Sequence, residues 1–305
     1  MMLIKFSHKI IIFLLKLNIV VIKGENAVQM TYAGKPIDIE EAPFTVAITV
    51  GCTGALIHRL WVITAAHCFE DRSYNEAAFV GFGTSNRRYY GYFIRITKVY
   101  IMPDFYVSYF SSNLAILSSY DIALIELAKP VILSQKIQIL KLEGTKWPKG
   151  ENRTCELAGF GNNLFDNSEL HQSQMTVGRA CGCMKTKKML CAESLKIGDS
   201  PCYGDSGSVI VCNNKGVAVT SQAIPFSYCY DKKKAMKEIK KNACGQSTYY
   251  FLFTFIRPHL KWIKEITNYN KANKVTLSIV PYYYDIFTSF HISAPLIIFL
   301  THLYR

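Results

Sequence analysis

The chain has 305 residues with 35 Lys and Arg against 22 Asp and Glu, a formal net charge of +13, and half of its residues are hydrophobic. This composition sets aside an acidic or disordered protein and leaves apolar material for a sizeable core in one to three domains. Ten cysteines with no paired Cys-x-x-Cys spacing point to disulfides in an oxidising compartment and away from a zinc site.

At the N-terminus, Lys5 and Lys9 precede the apolar run Ile10 to Leu15, which Leu17 to Ile22 continue up to Lys23. Residues 1–23 therefore read as a signal peptide, and Lys16 within the run argues against an uncleaved anchor. Its removal takes four lysines and no acid, lowering the formal charge from +13 to +9. The mature chain stays basic, which favours acidic surfaces or substrates through long-range steering. Strands are predicted at Phe44–Val50, Cys52–Ile57 and Trp61–Thr64, a meander that runs into Ala65-Ala66-His67-Cys68. Further strands follow at Ala77–Gly81, Tyr89–Val99 and Ile122–Leu127, and the Ser-rich run from Tyr106 to Ser119 reads as a loop before Asp121. Glu70 and Glu76 are read as solvated carboxylates, with no metal expected. Residues 131–150 form a connector, and Asn152-Arg153-Thr154 is a glycosylation sequon.

Gly204-Asp205-Ser206-Gly207 boxes a serine between glycines, the way a nucleophilic hydroxyl is presented on a tight turn. A serine needs a histidine to take its proton and a buried acid to orient that histidine. His67 and Asp121 supply these types, in the chain order His, Asp, Ser. Beyond the serine, the segment between Cys229 and Cys244 holds six lysines against Asp231 and Glu238 and reads as a +4 surface loop. A solvated lysine face is the more ordinary meaning of such a run, and an exosite for acidic partners is the sharper one. Pro258 to Thr267, with Leu260, Trp262, Ile263 and Ile266 recurring on one face, predicts a helix. Residues 286–304 form an uncharged run of near-spanning length, but His291, His302, Pro295 and the serines weaken both a membrane span and a lipid-anchor signal. An apolar tail packed on the domain or disordered is the favoured reading.

With these motifs in place, the chain from about Thr31 to Thr267 resembles the trypsin/chymotrypsin-like serine proteases, whose nucleophilic serine is served by a histidine and an aspartate. The resemblance implies an all-β fold of two Greek-key six-stranded β-barrels, with the active site between them and a C-terminal α-helix. It lays out a signal peptide over 1–23, a short pro-segment over 24–30, a protease domain over 31–267 and an extension over 268–305. It implies catalysis by His67, Asp121 and Ser206, and an oxyanion hole from the N–H groups of Gly204 and Ser206. Ser200 would lie at the base of the specificity pocket, with Ser221, Gln222, Ala223 and Phe251 along the substrate groove. Asp205 would pair with the ammonium of a chain beginning at Thr31, although Met30 stands where a tryptic activator needs Lys or Arg. Phe160 replaces the usual Trp, Ser208-Val209 the usual Gly-Pro, and Gln222 a Trp; the last two exchanges are expected to alter extended substrate binding. The implied disulfides are Cys52–Cys68, Cys155–Cys212, Cys191 with Cys183 or Cys181, and Cys202 with Cys244 or Cys229. A fifth bridge would join Cys229 to the Cys181/Cys183 pair.

The resulting expectation is a secreted, extracellular, monomeric serine endopeptidase that cleaves after apolar residues. It needs no cofactor or metal, is glycosylated at Asn152, acts on proteins or peptides, meets protein inhibitors and binds no nucleic acid. The rival reading is a catalytically silent homologue that acts as a binding or decoy protein.

Overall fold

The computed structural model describes residues 34–70, 78–89, 91–111, 114–162, 168–184, 188–193, 200–239 and 243–268. The expected signal peptide and pro-segment, Thr31, Glu76, Lys240, Lys241 and the tail from residue 269 lie outside them. After a two-residue strand β1 (Lys35–Pro36) come β2 (Thr45–Ile48), β3 (Cys52–His58), β4 (Trp61–Thr64), β5 (Phe79–Phe82) and β6 (Tyr92–Ile101). A hairpin of β7 (Tyr106–Ser111) and β8 (Leu114–Ser119) precedes β9 (Ala123–Leu127), which closes an antiparallel barrel in the order β2-β3-β4-β9-β6-β5. The second half supplies β10 (Arg153–Gly159), β11 (His171–Gly178), β12 (Met189–Glu193), β13 (Val209–Cys212), β14 (Lys215–Pro225) and β15 (Tyr249–Phe255). Their order β11-β10-β13-β14-β15-β12 closes through the β11–β12 pairing, so the chain folds as two six-stranded barrels.

The period-2 alternation of a strand explains how the barrels meet. In β4, Val62 turns into the first barrel beside Leu56, Ile94 and Ile125. Its neighbours Trp61 and Ile63 turn outward, onto Ala55, Leu124, Val209 and Val219 at the junction with the second barrel. With both faces covered, all four residues of β4 are buried. The second barrel is filled by Leu157, Val177, Leu190, Ile210 and Phe253.

Each half also sends a terminus to the other. β1 pairs with β11, Lys35 opposite Gln172. The terminal helix over 260–268 seats Ile263, flanked by Leu260, Trp262 and Ile266, on the junction cluster that contains Trp61 and Ile63. This is the helix predicted from the recurring apolar face.

Two sequence expectations are corrected. The Tyr106–Ser119 run is a hairpin, not a loop; its register shifts at Ser108/Tyr109 and Tyr109/Ser111, and such bulges break the alternation by which a strand is read. The lysine-rich insertion is not simply a loop, because Lys232–Ile239 forms a helix with Ala235 buried beneath it. Five disulfides join Cys52–Cys68, Cys155–Cys212, Cys181–Cys191, Cys183–Cys229 and Cys202–Cys244. Cys191 thus takes Cys181, and Cys183 reaches across to Cys229. No helix among the described residues is long and apolar enough to cross a membrane.

Candidate active site

His67 follows β4 in a 3-10 turn, Ala66–Phe69, and the Cys52–Cys68 bridge ties that turn back to the start of β3. Asp121 lies at the entrance to β9, in a tight turn where Ile122 N–H donates to the Tyr120 carbonyl at 2.8 Å. The turn puts Tyr120 at φ 55, in the left-handed region that a tyrosine adopts at some cost. Its ring is held edge-on by His259, and the Lys188 ammonium lies 4.0 Å from the ring centroid.

The Asp121 carboxylate is completely buried, so its charge must be met by donors. Oδ1 accepts the His67 backbone N–H at 2.9 Å; Oδ2 accepts His67 Nδ1 at 2.7 Å and the Ser221 hydroxyl at 2.6 Å. Burial alone would raise the Asp121 pKa, but the His67 charge and these hydrogen bonds outweigh it and hold the group below its ordinary value. Burial works the other way on His67 and is again outweighed by Asp121, so the imidazole titrates above 6.5. With Nδ1 donating to the carboxylate, Nε2 of the neutral ring is left as a proton acceptor.

Ser206 stands on the turn between β12 and β13. Gly204 has φ 100 and Gly207 φ 85, both closed to ordinary L residues, and a Cβ on Gly207 would strike Thr64 Oγ1 and the Thr53 carbonyl. The turn is tied down from several sides. Thr53 N–H donates to the Ser206 carbonyl at 2.9 Å, and Gly207 N–H donates to the Thr220 carbonyl at 2.9 Å. Asn162 N–H donates to the Tyr203 carbonyl at 2.7 Å. Because the peptide is planar and trans, that bond turns the Gly204 N–H the opposite way. Among the described residues, neither Gly204 N–H nor Ser206 N–H has an acceptor.

His67 and Ser206 face the same cleft of about 460 Å³. Ser221, Gln222, Ala223 and Phe251 line it. Ser200, expected at the pocket base, is buried and is not among the lining residues, and its Oγ accepts Gly245 N–H at 2.7 Å. Tyr249, Ile239, Ala243 and the Cys202–Cys244 bridge add apolar surface to the cleft wall beside Ser118 and Thr220, and Glu70 is the one carboxylate among the described lining residues. Asp205 is turned away from the cleft. Its Oδ1 accepts Gly161 N–H at 2.8 Å and its Oδ2 accepts Cys202 N–H at 2.9 Å, beside a small cavity lined by Gly159, Gly161 and His171. Burial pushes its pKa up to about 6 against the pull of those donors and of the His171 and Arg87 charges.

Thr53 had no signal in the sequence, and Ser208 and Gln222, read there as changes to the substrate groove, make contacts that the sequence did not announce. Thr53 is fully buried, donates Oγ1–H to the Gly204 carbonyl at 2.8 Å and accepts Phe160 N–H at 3.2 Å. Ser208 Oγ donates to the Asp205 carbonyl at 2.6 Å and lies 2.9 Å from Thr220 Oγ1. Ser208 therefore braces the serine turn and is not a wall of the cleft. Gln222 Oε1 accepts Ser118 N–H at 2.7 Å, joining β14 to the β7–β8 hairpin, and leaves its Nε2 buried without a partner.

The two-barrel fold, with a serine turn from one barrel facing a carboxylate-bound histidine from the other, defines a protein of the chymotrypsin-type architecture. The Trypsin family model matches residues 31–235. Kallikrein-1E2 of Equus caballus is 30% identical over 233 residues, 72% of this chain and 81% of that protein. Trypsin 5G1 of Aedes aegypti is 27% identical over 255 residues, covering 77% and 84%. Snake venom serine protease KN11 of Trimeresurus stejnegeri is 28% identical over 264 residues, covering 82% and 91%. The chain belongs to the trypsin family of serine endopeptidases.

Proposed function

We propose that this protein is a secreted endopeptidase in which Ser206 attacks the peptide carbonyl, His67 takes its proton and returns it to the leaving amine, and Asp121 holds the imidazole. The observation that carries this reading is the buried Asp121 carboxylate, which fixes both the backbone and Nδ1 of His67 and leaves Nε2 facing the cleft shared with Ser206. The free N–H groups of Gly204 and Ser206 suit a tetrahedral oxyanion, each such donor contributing roughly 3 kcal/mol in the transition state. Secretion is supported by the apolar leader and the five disulfides, and Asn152 lies exposed before β10, open to a glycan.

The pocket reading is cleavage after small or medium apolar residues such as Ala, Val or Leu, with large aromatics second. Ala223 and Phe251 shorten the cleft, and the Ser200 hydroxyl is already engaged by Gly245. Burying a Lys or Arg there without a carboxylate costs several kcal/mol. Activation requires a terminus set by something other than a tryptic cut after Met30, and the ammonium of a chain starting at Thr31 would then neutralise Asp205.

A fluorophosphonate should label the mature protein on Ser206. Ser206→Ala should abolish labelling and keep the fold, because the side chain faces solvent. An unlabelled mature wild-type protein would favour the silent-homologue reading. A peptide-library profile dominated by Arg or Lys would overturn the apolar specificity.

A further inference from the structure

The proposed chemistry makes no use of the charge on the insertion helix, Lys232–Ile239. Lys232, Lys233, Lys234 and Lys237 are all exposed, and Lys233 and Lys237 stand one turn apart, where like charges weaken an isolated helix. The two acids of the segment are occupied. Asp231 Oδ1 accepts Lys234 N–H at 3.0 Å at the start of the helix. Glu238 accepts the Ser227 hydroxyl and lies 3.9 Å from Lys234. Among the described residues, Lys232, Lys233 and Lys237 form no ion pair.

The helix is nonetheless fixed. Cys229 before it is bridged to Cys183, and Cys244 after it to Cys202, four residues ahead of Ser206. Ala235 is buried beneath it, and Tyr249 Oη donates to the Glu238 carbonyl at 2.7 Å. Ile239, at its last turn, lines the same cleft as His67 and Ser206. The element thus presents an apolar end to the cleft and a rigid, unneutralised cationic face beside it.

We propose that this lysine face recognises acidic residues of the protein substrate that lie beyond the bond held in the cleft. The inference rests on the protease reading. Continuity with the cleft places a bound chain on the helix without a second docking event. The length also fits: eight helical residues span about 12 Å, the reach of about four residues of extended peptide. A long polyanion would find only a single helix of matching charge.

The test uses two peptides with one cleavable apolar core, flanked either by Glu and Asp or by Gln and Asn. The mature enzyme should favour the acidic peptide by about tenfold in kcat/KM at low salt, through KM, as expected for about three screened ion pairs. The advantage should shrink as salt rises. In a variant with Lys232→Glu, Lys233→Glu and Lys237→Glu, the preference should reverse while cleavage of the neutral peptide and fluorophosphonate labelling hold. The same peptides are then compared for affinity on the Ser206→Ala form, where the acidic preference should persist without turnover, so failure of the surface and failure of the catalyst are read separately. Equal handling of the two peptides, or a preference unchanged in the variant, would overturn the proposal. So would heparin binding that depends on these lysines in the absence of any peptide preference, which would assign the face to sulfated polysaccharide.

Discussion

Among the described residues, the half-buried Asp205 carboxylate accepts hydrogen bonds from two backbone N–H groups, of Gly161 and Cys202, and desolvation outweighs them, placing its pKa at about 6 instead of 3.8. A carboxyl whose folded pKa is raised favours the fold in its protonated form. Its contribution is full below 3.8 and is lost as pH climbs through about 6, a change of about 3 kcal/mol. The uncut chain should therefore melt lower at pH 7 than at pH 5 by this group's share, and a chain beginning at Thr31 should lose that slope. Thermal melts of both forms, with Asp205→Asn as the non-titrating control, check it. Thr53 makes a second prediction, since its hydroxyl connects β3 of the first barrel to the serine turn of the second. Thr53→Val strands the Gly204 carbonyl and Phe160 N–H and should lower kcat by about tenfold with KM little changed, and Thr53→Ser should restore it. A lowered melting temperature with intact kcat would reduce Thr53 to a packing residue. Thr53 also marks the limit of sequence reading. His67, Asp121 and Ser206 stand inside short motifs, whereas the Thr53 hydroxyl acts on a carbonyl 151 residues away, and nothing beside it in the chain announces that contact.

Among the elements, the insertion helix depends on its staples more than on its own propensity. Replacing Cys183 and Cys229 together by Ala opens a 46-residue separation, and the chain-entropy estimate for such a loop is about 4 kcal/mol. The expected outcome is a lower denaturation midpoint with Ser206 still open to labelling and a broadened cleavage preference, because Ile239 is freed from the cleft wall. Strands of the first barrel were legible where their alternation is regular: β6, for example, buries Ile94 and Ile96 between exposed Phe93, Arg95 and Thr97, whereas the second barrel was expected only from the family resemblance. The hairpin was not, because its bulges scramble that period, and its tie to the cleft is a single backbone N–H of Ser118 on Gln222. Cysteine spacing left Cys181 and Cys183 interchangeable; only the register Gly178 opposite Cys191 brings Cys181 alongside its partner.

For the whole molecule, the reciprocal exchange of termini matters most. His67 and Asp121 belong to the first barrel and Ser206 to the second, so the site exists only at the junction. That junction is closed by Trp61, Ile63 and Leu124 against Val209, Val219 and Ile263. Every cysteine is paired, and every pair lies within one half: Cys52–Cys68 before the connector and the other four after it. The covalent link between halves is therefore the connector alone, where residues 132–136 are exposed. A protein nicked there should keep its fluorophosphonate reactivity in native buffer. It should part into two fragments in denaturant without any reductant, as gel filtration would register. Each fragment would carry only part of the proposed triad and the terminus that docks on the other, so they should behave as complementing pieces, unreactive apart and reactive again when refolded as a mixture.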